Sequence, residues 1–247
     1  MGHLSEHHVC PSPFGIPFDC LYSVNVPNLM FAGRDISCTH MGLSATRVMA
    51  TCATLGQAVG TAAALLVKYG IDPAQLRRER IAELQTMLED DDCMLPYRWR
   101  KVSPLTAEAT CAGDVAVLRN GIDRSYDKKD NGLWVAPNEE KIVYSWDTPR
   151  RISGARIVFD SNMTFAGKRM RKLEATTERA EMPKMLAKGF RVELRVCGKW
   201  QTAFKDDGNY LRFRKISFAP TDADAMRLIV SETWGDDKAH VFALDAL

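Results

Sequence analysis

The chain has 247 residues, with 33 basic and 31 acidic side chains and a formal net charge of +2, so it lacks the charge excess of a dedicated nucleic-acid binder. Its 46% hydrophobic and 26% charged residues are those of a packed globular protein of one or two domains. Seven cysteines, at positions 10, 20, 38, 52, 93, 111 and 197, form an odd and scattered set without a C-x-x-C pair. They read as buried thiols in a reducing, cytoplasmic compartment and not as a disulfide framework.

At the N-terminus His7, His8 and Cys10 are close together, but no second ligand pair at zinc spacing follows, and no metal site is expected. No charged-then-apolar signal pattern is present. Asn28 to Ala32 is a short apolar run after a Pro-Asn turn, which suits a buried strand of an α/β sheet. It ends at Gly33, where backbone can approach a ligand closely. Just beyond lies Asp35, a carboxylate able to accept from a ribose or ribityl hydroxyl or, more plainly, to cap a turn. His40 follows in a loop.

From Ser44 to Tyr69 the residues are mostly helix formers, with Gly56 and Gly60 in the interior. An interior glycine costs about 0.5–1 kcal/mol relative to alanine. The small face of Ala53, Gly56, Gly60 and Ala64 is therefore expected to lie tight against a sheet or another helix. Arg47, Thr51, Thr54, Gln57, Thr61 and Lys68 interrupt the apolar character, which argues against a membrane span. Arg47 falls in the first turn, where a cation is mildly unfavourable and needs either a function or a carboxylate partner. Asp72-Pro73 then makes an N-cap and first-turn pair for a helix to about Asp90.

The pattern changes between Pro96 and Pro104. Phe190, Val192, Leu194 and Val196 alternate with Arg191, Glu193 and Arg195, as in a strand with one buried face, and Gly198-Lys199 gives a hairpin turn into Trp200. Further strands are expected at 142–146, 155–159, 211–218, 226–232 and 241–244. Short strands separated by Gly, Asp and Pro turns indicate a β-sandwich or jelly roll. Lys168, Arg169, Arg171 and Lys172 form a basic cluster without interleaved aromatics, so it reads as solvated surface.

The ordered series Ala32-Gly33-Arg34-Asp35-Ile36-Ser37, Thr39-His40, Thr46-Arg47-Val48-Met49 and Gly56 to Ala64 resembles the C-terminal FAD-binding signature of the FAD-dependent oxidoreductase family. That family is related to the fumarate reductase and succinate dehydrogenase flavoproteins. Residues 14–21 resemble the family's preceding strand, and residues 81–88 the helix that follows, so the likeness covers about 12–95. The resemblance implies that Gly33, Arg34 and Asp35 approach the cofactor, with Asp35 on its sugar alcohol. Backbone around Val48 and Met49, with Arg47 beside it, would face the flavin pyrimidine edge. His40 and Arg47 would be the catalytic pair on the substrate side.

The second half is similar to galactose-binding-like sandwiches in Leu118 to Asp123, in Trp134 and in Arg227 to Val230. Such modules bind glycans at loop tips, which makes Trp134, Trp146 and Trp234 candidate platforms and Asp123 and Asp127 candidate anchors, unless these tryptophans fill the core.

The expected fold is thus α/β for residues 1–104, a C-terminal segment of an FAD-binding domain with two helices, followed by an all-β sandwich over 105–247. No G-x-G-x-x-G turn occurs in the 247 residues, so the pyrophosphate cradle of a dinucleotide site is missing. FAD is the cofactor of the intact family protein, and this chain alone is expected to bind none. The expected role is part of a flavin-dependent oxidoreductase, with a non-catalytic carbohydrate-binding or structural module as the alternative. Neither nucleic acid nor membrane is an expected partner. A half-domain would leave apolar surface for self-association or for the missing N-terminal half.

Overall fold

A computed structural model describes residues 13–126, 129–162 and 182–247. His7, His8, Cys10, Asp127 and the basic cluster at 168–172 lie outside the described residues. The chain divides into two compact units, Met1–Trp99 and Arg100–Leu247. The break falls before the expected one at 104 because Arg100 and Ser103 are bound into the second unit. Arg100 pairs with Asp123 and Asp245, and the Ser103 hydroxyl donates to the Ala246 carbonyl at 2.6 Å.

The first unit is helical. Residues 18–21, expected to be extended, form a 3-10 turn after Pro17, burying Phe18 and Leu21. The expected strand at 28–32 is reduced to one antiparallel bridge, Tyr22 to Met30, beside a Phe31 N–H to Leu21 carbonyl bond of 2.8 Å. A strand needs a neighbour along its whole length. Among the described residues of this unit, that bridge supplies the β pairing.

Helix α1 (His40–Thr46) and helix α2 (Met49–Tyr69) replace the single helix expected from Ser44. Helices α3 (Pro73–Glu79) and α4 (Ile81–Asp90) replace the next one. The Asp72 cap is as expected, and Gln75 completes a reciprocal capping box with it. Leu55, Ala62 and Leu65 of α2 pack with Leu76, Leu84 and Leu88 in one core. This reverses the expected orientation of α2. The small face of Ala53, Gly56, Gly60 and Ala64 is exposed, and no described atom lies within 4 Å of a Cβ built at Gly56 or Gly60. The leucine side goes inward because it removes more apolar area from water.

In the second unit a short helix, α5 (Pro104–Glu108), precedes six strands: β1 (Leu133–Val135), β2 (Ile142–Phe159), β3 (Ala187–Val196), β4 (Lys199–Asp206), β5 (Phe213–Thr233) and β6 (Ala239–Ala246). Their order in the sheet is β1-β6-β2-β5-β3-β4, with every pairing antiparallel. Four of the strands expected separately are the two halves of β2 and of β5. A straight strand of 21 residues would span about 70 Å, far more than a unit of this size can hold. The pair therefore bends, with register shifts between Ser145/Arg150 and Ile152/Gly154. Gly154 is required at the bend, since a Cβ there would sit 2.4 Å from the Ile216 carbonyl oxygen.

The bent sheet closes over one main core as a sandwich, with a smaller cluster of Val158, Phe242 and Ala243 beside it. Phe159 of β2 meets Phe190 of β3 across the main core, with ring centroids 5.2 Å apart. The β3–β4 hairpin turns through Cys197 and Gly198, both at positive φ (49° and 76°), as a two-residue turn with right-handed strand twist requires.

Candidate functional site

The expected cofactor-facing residues lie before α1 and at the junction between α1 and α2. Gly33 has φ of +125°, a conformation that only glycine adopts readily. Arg34 and Asp35 follow it on the surface. Thr39 caps α1, its hydroxyl oxygen accepting from the Gly42 N–H at 3.1 Å, so that His40 is the first residue of that helix and not part of a loop. Arg47 is its C-cap, with its N–H donating to the Leu43 carbonyl at 3.1 Å.

His40 and Arg47 therefore stand at opposite ends of a seven-residue helix, separated by about 10 Å along its axis at ~1.5 Å per residue. A cation at the last position suits the helix dipole, which removes the conflict expected for Arg47. Val48 is extended at the N-cap of α2 and has no side-chain acceptor, leaving the first-turn N–H groups without a side-chain cap. Val48 and Met49 are 56% and 88% exposed. An exposed, uncapped end of a 21-residue helix beside Arg47 can receive the electron-rich edge of a ligand. A cradle for the pyrophosphate is not among the described residues.

The second site lies on the sandwich, where pairing brings several loops to one end. The last residues of β2 pair with the first of β5 and β6, Val158 with Phe213 and Phe159 with Val241. Leu133, at the start of β1, also pairs with Val241, and Ala187, near the start of β3, pairs with Thr233 at the end of β5. Trp134, Tyr210 and Trp234 are all at this end, and they are 41%, 66% and 37% exposed. Trp234 is fixed by its indole N–H, which donates to the Asn209 carbonyl at 2.8 Å. Trp146 is elsewhere, 6% exposed in the core, with its indole N–H on the Leu105 carbonyl at 2.8 Å.

Trp134 stacks on the buried ring of His240, with centroids 4.2 Å apart and planes within 5°. Its indole N–H donates to Asp130 Oδ2 at 3.2 Å. His240 Nδ1 lies 2.8 Å from Asp160 Oδ2 and Nε2 lies 3.0 Å from Asp130 Oδ1. The second contact is close but poorly aligned for a hydrogen bond. Burial would raise the Asp160 carboxyl, yet the His240 and Asn162 hydrogen bonds outweigh it and hold that group below its usual range. The histidine and its two carboxylates escaped the sequence reading, since a lone His in the apolar run 239–244 looks like core. The only signals were the Asp130-Asn131-Gly132 and Asp160-Ser161-Asn162 turns.

Asp123 is not free to anchor a ligand. It is 9% exposed and pairs with Arg100 at 3.0 Å and Arg156 at 2.8 Å. With Asp245, 2.8 Å from Arg100, these residues form a buried four-member charge cluster.

Residues 3–88 match the family model of FAD dependent oxidoreductase. Among solved structures, the family 32 carbohydrate-binding module of Streptococcus pneumoniae EndoD is 16% identical, with a TM-score of 0.40, covering 56% of this chain and 88% of that one. Chitosan-binding module 1 of a chitosanase/glucanase from Paenibacillus sp. IK-5 is 10% identical, with a TM-score of 0.38, covering 58% and 97%. No curated protein gives a significant match.

Proposed function

We propose that this chain is the C-terminal part of an FAD-dependent oxidoreductase in which the α1–α2 junction faces the ring end of the cofactor. The observation that carries the reading is the exposed, uncapped N-terminus of α2 beside Arg47, inside the segment matched to the flavin family. Bound FAD would supply a hydride acceptor. The first-turn N–H groups of α2 would hold negative charge on the ring, and Asp35 would accept from a hydroxyl of the sugar alcohol. Arg47 and His40 would hold an anionic or carbonyl oxygen of the substrate from the two ends of α1.

Purified alone, the chain is expected to be colourless and inactive, because its sequence has no pyrophosphate cradle. A yellow protein releasing flavin on denaturation would overturn that expectation. When a dinucleotide-binding half is supplied in trans, flavin retention is expected and should fall at least about tenfold with Asp35→Ala, the loss of about 1.4 kcal/mol for a charged hydrogen bond. Unchanged retention in Asp35→Ala would remove Asp35 from the site.

A second reading concerns the sandwich alone, a carbohydrate-binding module using its loop end. It is supported by Trp134, whose part-exposed ring is held on a buried partner and suits stacking against a sugar. Trp134→Ala should abolish any sugar-induced change in the tryptophan signals of the chain, and a change that survives would place binding elsewhere.

A further inference from the structure

His240 is 2% exposed and stands between two carboxylates, Asp160 from the end of β2 and Asp130 from the segment leading into β1. Arg212, from the segment before β5, is a cation whose charge acts on Asp160. Its guanidinium lies 5.4 Å from the Phe242 ring, which itself packs 4.6 Å from His240, and it donates to the Phe159 carbonyl at 3.2 Å and to the Asp123 carbonyl. Asp130 joins three partners. Oδ1 accepts the Gly132 N–H at 3.0 Å and faces His240 Nε2, while Oδ2 accepts the Trp134 indole N–H. Gly132 lets the chain pass over the imidazole, since a Cβ there would lie 2.3 Å from Nε2.

A neutral imidazole carries one N–H, so whichever tautomer is present, one of the two carboxylates faces a lone pair. The imidazolium has an N–H on each nitrogen, hydrogen-bonding Asp160 and meeting Asp130 as a close charge contact. It is also attracted to the face of the indole stacked on it. One proton therefore strengthens three contacts together, to Asp160, Asp130 and Trp134.

We infer that proton binding at His240 sets the seating of Trp134. The charged ring holds Asp130 and the indole in place. The neutral ring keeps Asp160, whose side chain is 12% exposed, and releases Asp130, whose side chain is 50% exposed and can turn to water. Trp134 loses its indole acceptor with it. The switch belongs to the free chain and does not depend on the carbohydrate reading, although any ligand stacking on Trp134 would inherit its pH dependence.

The test is NMR of the whole chain followed over a pH series. The Trp134 indole N–H is assigned with Trp134→Phe and the His240 ring C–H with His240→Gln. The two signals are expected to move with a common midpoint. In Asp130→Asn, His240 should still titrate while the Trp134 shift shrinks several-fold. A Trp134 signal that stays constant while His240 titrates would overturn the inference. So would a Trp134 step that persists in His240→Gln. If His240→Gln does not fold, the half-exposed Asp130→Asn decides the question by itself.

Discussion

At the scale of single residues, the second unit is pinned by charges placed out of water. Arg156 is fully buried, and its Nη1 contact with Asp123, like that of Arg100 with Asp245 Oδ2, is a close charge contact. Removing one member leaves the remaining three with one uncompensated buried charge. Arg156→Ala is therefore expected to lower the unfolding free energy by about 3–5 kcal/mol in urea titration, far more than an exposed pair would cost. Glu193 gives a pH handle. Burial would raise it, but hydrogen bonds from Arg191 at 2.8 Å and Arg227 at 2.6 Å prevail and hold it low. A carboxylate lowered by folding stabilises above its unfolded value, about 4.3, and loses that contribution as the pH falls through its lower folded value. Stability should thus drop on the acid side, and Glu193→Gln should flatten that limb of the stability curve. Apart from Arg191 and Glu193, two residues apart on one strand, these partners were not legible in the sequence, because they lie far apart along the chain.

At the scale of elements, the signals that survived were local ones. The Asp72-Pro73 start and the alternation of 190–196 are written within a few residues, and both appear where expected. The division of the long helix at Arg47 and Val48 was not visible, since the residues on both sides are helix formers. It arises where α1 ends, with the Thr46 hydroxyl donating back to the Gly42 carbonyl at 3.2 Å and Val48 extended. That junction makes a direct prediction. Val48→Asp supplies the missing cap of α2 and should stabilise the helical unit by about 0.5–2 kcal/mol, read as a higher thermal midpoint in circular dichroism. No gain would mean that the first-turn N–H groups are already satisfied.

At the scale of the whole molecule, the second unit ties its beginning to its end. The Thr106 hydroxyl oxygen accepts the Ala246 N–H at 2.8 Å, and Leu247 exchanges backbone hydrogen bonds with Gly154. Residues 100–247 made alone are accordingly expected to unfold cooperatively in urea, and a broad, non-cooperative transition would count against an autonomous unit. Sequence by itself determined what short-range patterning can encode: helices at 49–69 and from Pro73, a flavin-family signature around them, and an alternating β part after them. Only the tertiary structure decided that α2 turns its leucines inward and leaves its glycine face bare, that Trp146 is core while Trp134 is not, and that Asp123 is a buried ion-pair partner. It also brought His240 beneath Trp134. Burial and pairing depend on which distant segments meet, and a sheet joining residue 133 to residue 241 sets those meetings by its global register, for which no local run of residues carries a sign.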